Sequence, residues 1–170
     1  DLDLPKPEKR LPKHILSISE VESIIGKTDI TKPIGIRDRA ILETFYSTGM
    51  RRAELVRLKI FDLDTERETI IIQQGKGKKD RMLPIGELAL AWINKYLQEV
   101  RPNLVMPPDD STLFLTMDGV ALSSNRLSKM LGYYIKATGI GKKGSCHIFR
   151  HTMATLMLEG GADVRFIQQM

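Results

Sequence analysis

TGMRRAEL, residues 48–55, is the stretch that decides how this chain is read. Thr48-Gly49 interrupts one helical pattern and the following residues resume another, so Arg51 falls just past a glycine break, at the start of a helix. About a hundred residues later, HIFRH (residues 147–151) sets His147 and Arg150 one helical turn apart. Between the two lies GKGKKDR (residues 75–81), a lysine-tipped turn flanked by runs that read as strands. Two guanidiniums, an imidazole and an ammonium, without a carboxylate cluster to hold a metal, suit a phosphodiester better than other substrates. Guanidinium groups stay charged and offer paired donors that match two phosphate oxygens.

Working outward, Ser19 followed by Glu22 reads as a capping box. It opens a short helix through Val21, Ile24 and Ile25 that Gly26 ends. A longer helix is expected over residues 35–47 with Ile41, Leu42 and Phe45 on its apolar face, and a second one carries Arg51, Glu54, Leu55 and Leu58. Residues 60–63, 69–73 and 81–85 look like three short strands joined by turns at 64–68 and 74–80, an antiparallel meander. Helical signals return over 87–100, with Leu88, Trp92, Tyr96 and Leu97 as a core stripe, before a Pro-rich loop at 101–110. Ser123-Ser124-Asn125 caps a helix through Leu127, Leu131 and Ile135. A Gly/Lys loop (139–144) leads to the HIFRH helix, Gly160-Gly161 ends it, and Asp163 caps a last one. The fold class is α+β, mainly helical with a small three-stranded antiparallel sheet. Residues 1–13, with three prolines among charges, have the chemistry of an interdomain linker, which leaves 14–170 as one domain.

Composition narrows the partners. The chain is 42% hydrophobic, enough for a core at 170 residues. No apolar run approaches the roughly 20 residues that span a bilayer, and Cys146, the single cysteine, leaves no internal disulfide and suits a reducing cytoplasm. The net charge of +5 is unevenly spread: residues 126–151 hold six basic side chains (Arg126, Lys129, Lys136, Lys142, Lys143, Arg150) and no acidic one. One basic face, suited to nucleic acid, is the simplest reading.

Each motif alone has a bland alternative. Arg51-Arg52 could be surface charge, and Lys76, Lys78 and Lys79 could be solvated turn residues without the P-loop spacing. His147 and His151 stand at a metal-ligand spacing, but no Glu follows His147 as HExxH requires and no third ligand is evident, so no metal is expected. Tyr133-Tyr134 reads more readily as core than as a base-stacking platform, and Cys146 as an inert packed thiol.

Together the motifs resemble the catalytic domain of the tyrosine recombinases, the phage integrases and Xer-like recombinases. TGxRxxEL is matched by Thr48, Gly49, Arg51, Glu54 and Leu55, GKGxK by Gly75, Lys76, Gly77 and Lys79, and HxxRH by His147, Arg150 and His151. The run after the second box, TMATLMLEGGADVRFIQQM, and the entry RLPKHILSISEV are also similar to the family's. The resemblance implies site-specific DNA recombination through a 3'-phosphotyrosyl intermediate. It implies Arg51 and Arg150 as the phosphate clamp, Lys76 as general acid and His147 as a phosphate contact that helps take the tyrosine proton. Glu54 would orient nearby backbone or the Arg51 helix, and His151 would pack or support the site. Lys78, Lys79, Arg126, Lys129, Lys142 and Lys143 would contact double-stranded DNA. No metal or small-molecule cofactor is implied, and family members act as tetramers on synapsed DNA.

One departure stands out. In the family a further His or Trp and then the nucleophilic tyrosine follow the second box, whereas Tyr46, Tyr96, Tyr133 and Tyr134 all precede it. The expectation is a piece of a longer recombinase that binds DNA without cleaving it. The alternative is a catalytically inactive DNA-binding module related to integrases.

Overall fold

Helix α2, Pro33–Thr48, is the element on which the others are assembled. The computed structural model describes residues 16–74, 77–141 and 149–152. Pro33 opens α2 at a position where a backbone N–H would have no helical partner. Gly49 closes it in the left-handed region, at φ 62°, with its N–H donating to the Phe45 carbonyl at 2.8 Å. The helix is buried on nearly every side: Ala40, Ile41, Leu42 and Phe45 are in the core. Its buried charges are paired, Arg37 with Asp38 at 2.7 Å and Arg39 with Glu43 at 3.0 Å.

Helix α1, Ile18–Gly26, begins two residues earlier than the sequence suggested. Ser17 and Glu20, not Ser19 and Glu22, form the capping box, each side chain accepting the other's backbone N–H at 3.1 Å. Both registers satisfy the S-x-x-E spacing. The observed one sets Leu16 just before the cap and Val21 four positions into the helix, and both are buried, a hydrophobic staple. Helix α3, Arg52–Val56, is shorter than expected: Arg51 precedes it and Leu58 lies beyond it. There the Leu58 carbonyl accepts the Leu113 N–H at 2.9 Å.

The sheet is the expected antiparallel meander, β1 (Leu63–Asp64), β2 (Thr69–Ile72) and β3 (Arg81–Pro84), in the order β1-β2-β3. Leu63 pairs with Ile70, Ile70 with Leu83, and Ile72 with Arg81. The first strand is truncated, because Ile60–Asp62 form a 3-10 turn instead. Asp62 holds that turn by accepting from the Lys59 N–H at 2.8 Å and from the Gln73 amide at 2.7 Å, a local side-chain alternative to ladder pairing.

Helix α4, Glu87–Glu99, packs on α2 through Ala89, Leu90, Ile93 and Tyr96. The expected stripe was rotated by one residue: Leu88 is 59% exposed, and Trp92 and Leu97 are only half-buried. Trp92 sits at the rim beneath the Arg39 guanidinium, 4.8 Å from its ring centroid. The buried Tyr96 hydroxyl donates to the Leu113 carbonyl at 2.9 Å and accepts the Leu115 N–H at 3.0 Å, which fixes the strand-like return of the chain.

Helix α5, Ser124–Ala137, is capped by Ser123 and buries Leu127, Leu131 and Ile135 as the sequence indicated. It also buries Tyr134, whose hydroxyl donates to Asp38 at 2.6 Å. Residues 149–152 are helical. Phe149 is buried edge-on to Phe45 with centroids 6.5 Å apart, and Thr152 accepts the Leu16 N–H at 3.0 Å. The linker at residues 1–13, Gly160-Gly161 and Asp163 lie outside the described residues. Among the described residues, no helix is long and apolar enough to cross a membrane.

Two substitutions separate core from rim. Phe149→Ala is expected to lower the unfolding free energy by about 3–5 kcal/mol in urea titrations. Leu88→Ala is expected to change it by no more than about 0.5 kcal/mol.

Candidate active site

Local backbone geometry brings the two arginine motifs together. After Gly49 turns the chain out of α2, Met50 is buried and Arg51 is exposed. The Gly49 carbonyl accepts a hydrogen bond from Arg150 Nε at 3.3 Å, across 101 residues of sequence. Arg150 is held from its own side by Phe149 in the core. The glycine that ends α2 therefore touches one guanidinium and introduces the other.

A single buried carboxylate organises this corner. Glu54 Oε1 accepts the Arg51 backbone N–H at 2.9 Å, the reciprocal half of a capping box. The same carboxylate receives both terminal nitrogens of Arg81, at 2.5 and 2.9 Å. Glu54 is 7% exposed and Arg81 16%, so the pair is largely withdrawn from water. Burial pushes the Glu54 carboxyl up. The Arg81 and Arg51 hydrogen bonds and their positive charges outweigh this and hold it below its ordinary value of 4.5.

Arg150 is pushed the other way. Burial lowers its pKa, the charge of Arg51 and then that of Arg81 add to the effect, and Glu54 opposes it. Of these four groups three are cations and one is an anion, an excess of two positive charges. A bound dianionic or oxyanionic group would relieve that repulsion.

Other sequence-derived candidates are dispersed around this centre. Lys78 and Lys79 are exposed in the turn after β2, whose base is tied by Asp80 accepting the Gln74 N–H at 3.1 Å. Arg126 and Lys129 are exposed on α5 and border an open groove of about 670 Å³ that Lys27, Lys32 and Tyr133 also line. Arg52 donates to Ser128 at 2.6 Å, linking the arginine stretch to this helix. His151 is exposed. Lys76, Lys142, Lys143 and His147 lie outside the described residues. Among the tyrosines, Tyr96 and Tyr134 have their hydroxyls in buried hydrogen bonds, Tyr46 is half-buried and Tyr133 is exposed. Burial raises the pKa of Tyr46, Tyr96 and Tyr134.

Sequence reasoning missed Arg81. Its signal was available in the strand alternation. Arg81 shares the face of β3 that buries Leu83, while Met82 and Pro84 face solvent. A cation on the inward register of a strand requires a buried partner.

Residues 14–170 match the profile of the phage integrase family. The chain belongs to that family. It is 46% identical over its whole length to tyrosine recombinase XerC 2 of Ralstonia nicotianae, covering 49% of that protein. It is 40% identical to tyrosine recombinase XerD of Lacticaseibacillus casei over 99% of the chain and 57% of the relative. Among solved structures, XerA recombinase superposes with a TM-score of 0.80 at 34% identity, over 96% of this chain and 57% of that one. XerH site-specific recombinase bound to its difH substrate superposes at 0.78 and 30% identity, over 94% of this chain and 46% of that one. The chain thus spans about half the length of the relatives it matches. The mainly helical fold with its three-stranded sheet is that of tyrosine recombinase catalytic domains.

Because Glu54 titrates below 4.5 in the folded protein, its contribution to stability is complete above that value and lost as pH falls through the lower, folded-state value. Glu54→Ala leaves Arg81 buried without its carboxylate and is expected to cost about 3–5 kcal/mol at neutral pH. Urea titrations at neutral and strongly acidic pH check the sign: the gap between wild type and variant narrows in acid.

Proposed function

We propose that the full-length protein carrying this domain cleaves and rejoins duplex DNA at specific sites by transesterification. The observation that carries the reading is the gathering of Arg51 and Arg150 at the Gly49 turn with an excess of positive charge. The kinship to Xer recombinases supports the choice of substrate.

In the proposed reaction a tyrosine hydroxyl attacks phosphorus. The bond from tyrosine oxygen to phosphorus forms while the bond from phosphorus to the 5'-oxygen breaks, which leaves a 3'-phosphotyrosyl enzyme. Arg51 and Arg150 neutralise charge building on the non-bridging oxygens, usually the largest catalytic contribution at such a centre. His147 contacts the phosphate and helps take the tyrosine proton. Lys76 gives a proton to the departing 5'-oxygen, which is otherwise a poor leaving group. A second strand's 5'-hydroxyl reverses the sequence and rejoins the DNA. None of the four tyrosines in residues 1–170 is assigned as nucleophile, and we place that group elsewhere in the full-length protein.

The chain itself, as the recombinase domain spanning residues 14–170, would hold duplex DNA through Lys78, Lys79, Lys142 and Lys143 and through the α5 groove with Arg126 and Lys129. His151 would support the second box, and residues 1–13 would link to a preceding domain. The family resemblance further suggests a tetramer on synapsed DNA, in the cytoplasm, without a metal or small-molecule cofactor. A DNA-binding module without chemistry needs phosphate contacts but not this clamp, so cleavage decides between the two readings.

Two measurements test the proposal. Duplex affinity of the chain is expected to fall steeply between low and physiological salt, because basic side chains release counterions on binding. Affinity that stays flat argues against the basic face. In the full-length protein, Arg150→Ala is expected to slow single-turnover cleavage by about 10²–10³-fold. A near-normal rate contradicts the clamp.

A further inference from the structure

We propose that Arg81 is a positioning residue for strand cleavage, acting through Glu54 on the backbone that presents Arg51. The inference rests on the cleavage reading above and adds a residue that the three sequence motifs do not assign a role. Arg81 does not need to touch the phosphate. Its two terminal nitrogens fix both carboxylate oxygens of Glu54, which leaves that carboxylate one rotational setting. In that setting Oε1 receives the Arg51 N–H and holds the residue before α3 in place.

Position in the fold gives the ion pair a second consequence. Arg81 is the first residue of β3 and pairs with Ile72, the last of β2, so it stands at the base of the β2–β3 connection. The Arg81–Glu54 pair therefore ties the end of the hairpin to the start of α3. One fork of hydrogen bonds joins these two elements. Lysine at this position would keep the charge and lose the planar two-point contact.

The charged surroundings make the coupling readable. Arg81 faces Glu54 from β3, Arg51 from the turn before α3, and Arg150 from the helical residues 149–152. Glu54 also lines a cavity of about 470 Å³ together with Arg57, Lys59, Asp62 and Asp110, so that two cations there meet three carboxylates. Removing the Arg81 charge subtracts the strongest hydrogen-bond donor holding Glu54 ionised.

The test uses the full-length protein labelled with ¹⁵N-arginine, with R81Q, R81K and E54Q variants. The Arg51 amide resonance titrates with the carboxylate it donates to. In R81Q its midpoint is expected to rise, and the acid limb of the single-turnover cleavage profile is expected to rise with it. At neutral pH, R81Q is expected to cleave about 10–100-fold more slowly with duplex affinity within about twofold of wild type. R81K is expected to recover only part of both effects, and the R81Q/E54Q double variant to be no slower than E54Q.

Wild-type cleavage by R81Q, or slow cleavage with an unmoved Arg51 midpoint, overturns the proposal. Should R81Q fail to fold, R81K decides: a wild-type rate and midpoint overturn it. If the wild-type protein cuts no duplex, the cleavage reading fails. The Arg51 midpoint in R81Q then still establishes or removes the coupling on its own.

Discussion

A carboxylate taken out of water beside three guanidiniums is the constraint on which this corner of the molecule depends. Glu54 is costly to bury alone, and it is tolerated because Arg81 and the Arg51 backbone satisfy its oxygens. In return it fixes the chain immediately before α3 without neutralising all the positive charge nearby. Had the local charges balanced, the corner would be a structural ion-pair cluster. The surplus of positive charge favours an anion there.

The scaffold behind this arrangement is rigid for ordinary reasons. α2 is buried on most sides and ends at a glycine whose backbone lies in the left-handed region, a conformation that costs roughly 1–2 kcal/mol for other residues. That sharp exit delivers Met50 to the core and Arg51 to solvent within two residues. Phe149 against Phe45 and Thr152 against Leu16 lock the helical residues 149–152 to the same scaffold. Arg150 consequently reaches the Gly49 carbonyl from a helical segment anchored in the core by Phe149 and Thr152. Two motifs distant in sequence meet because one turn and one aromatic contact leave them little alternative.

Much of this was legible in the sequence, for physical reasons that also explain what was not. The α5 stripe of Leu127, Leu131 and Ile135 and the glycine stop of α2 are strong signals, since a long amphipathic period and a residue free to adopt positive φ are each hard to produce by chance. The α4 stripe was misread because Leu88, Trp92 and Tyr96 have helical spacing as good as that of Ala89, Ile93 and Tyr96, and only the shape of α2 selects between them. Ser17 and Ser19 offer equivalent caps, and the burial of Leu16 chooses the first. The strand expected at 60–63 lost to a short-range competition won by the Asp62 side chain. Of the candidate site, Arg51, Glu54 and Arg150 were found by motif, and the structure brings them together. Arg81 was passed over because a charged residue after a lysine-rich turn looks like more of the same, until its register on β3 is considered.

Arg51 and Arg150 are proposed to act on the negative charge of a phosphodiester rather than on protein stability or general DNA affinity. The most direct measurement compares single-turnover cleavage by full-length wild-type and Arg150→Ala proteins on two duplexes, one natural and one with an uncharged methylphosphonate at the scissile position. The penalty for losing Arg150 is expected to be large on the phosphodiester and to shrink toward unity on the neutral analogue, where the charge to be stabilised has been removed. Equal penalties on both duplexes would contradict it and make Arg150 a structural residue of the fold.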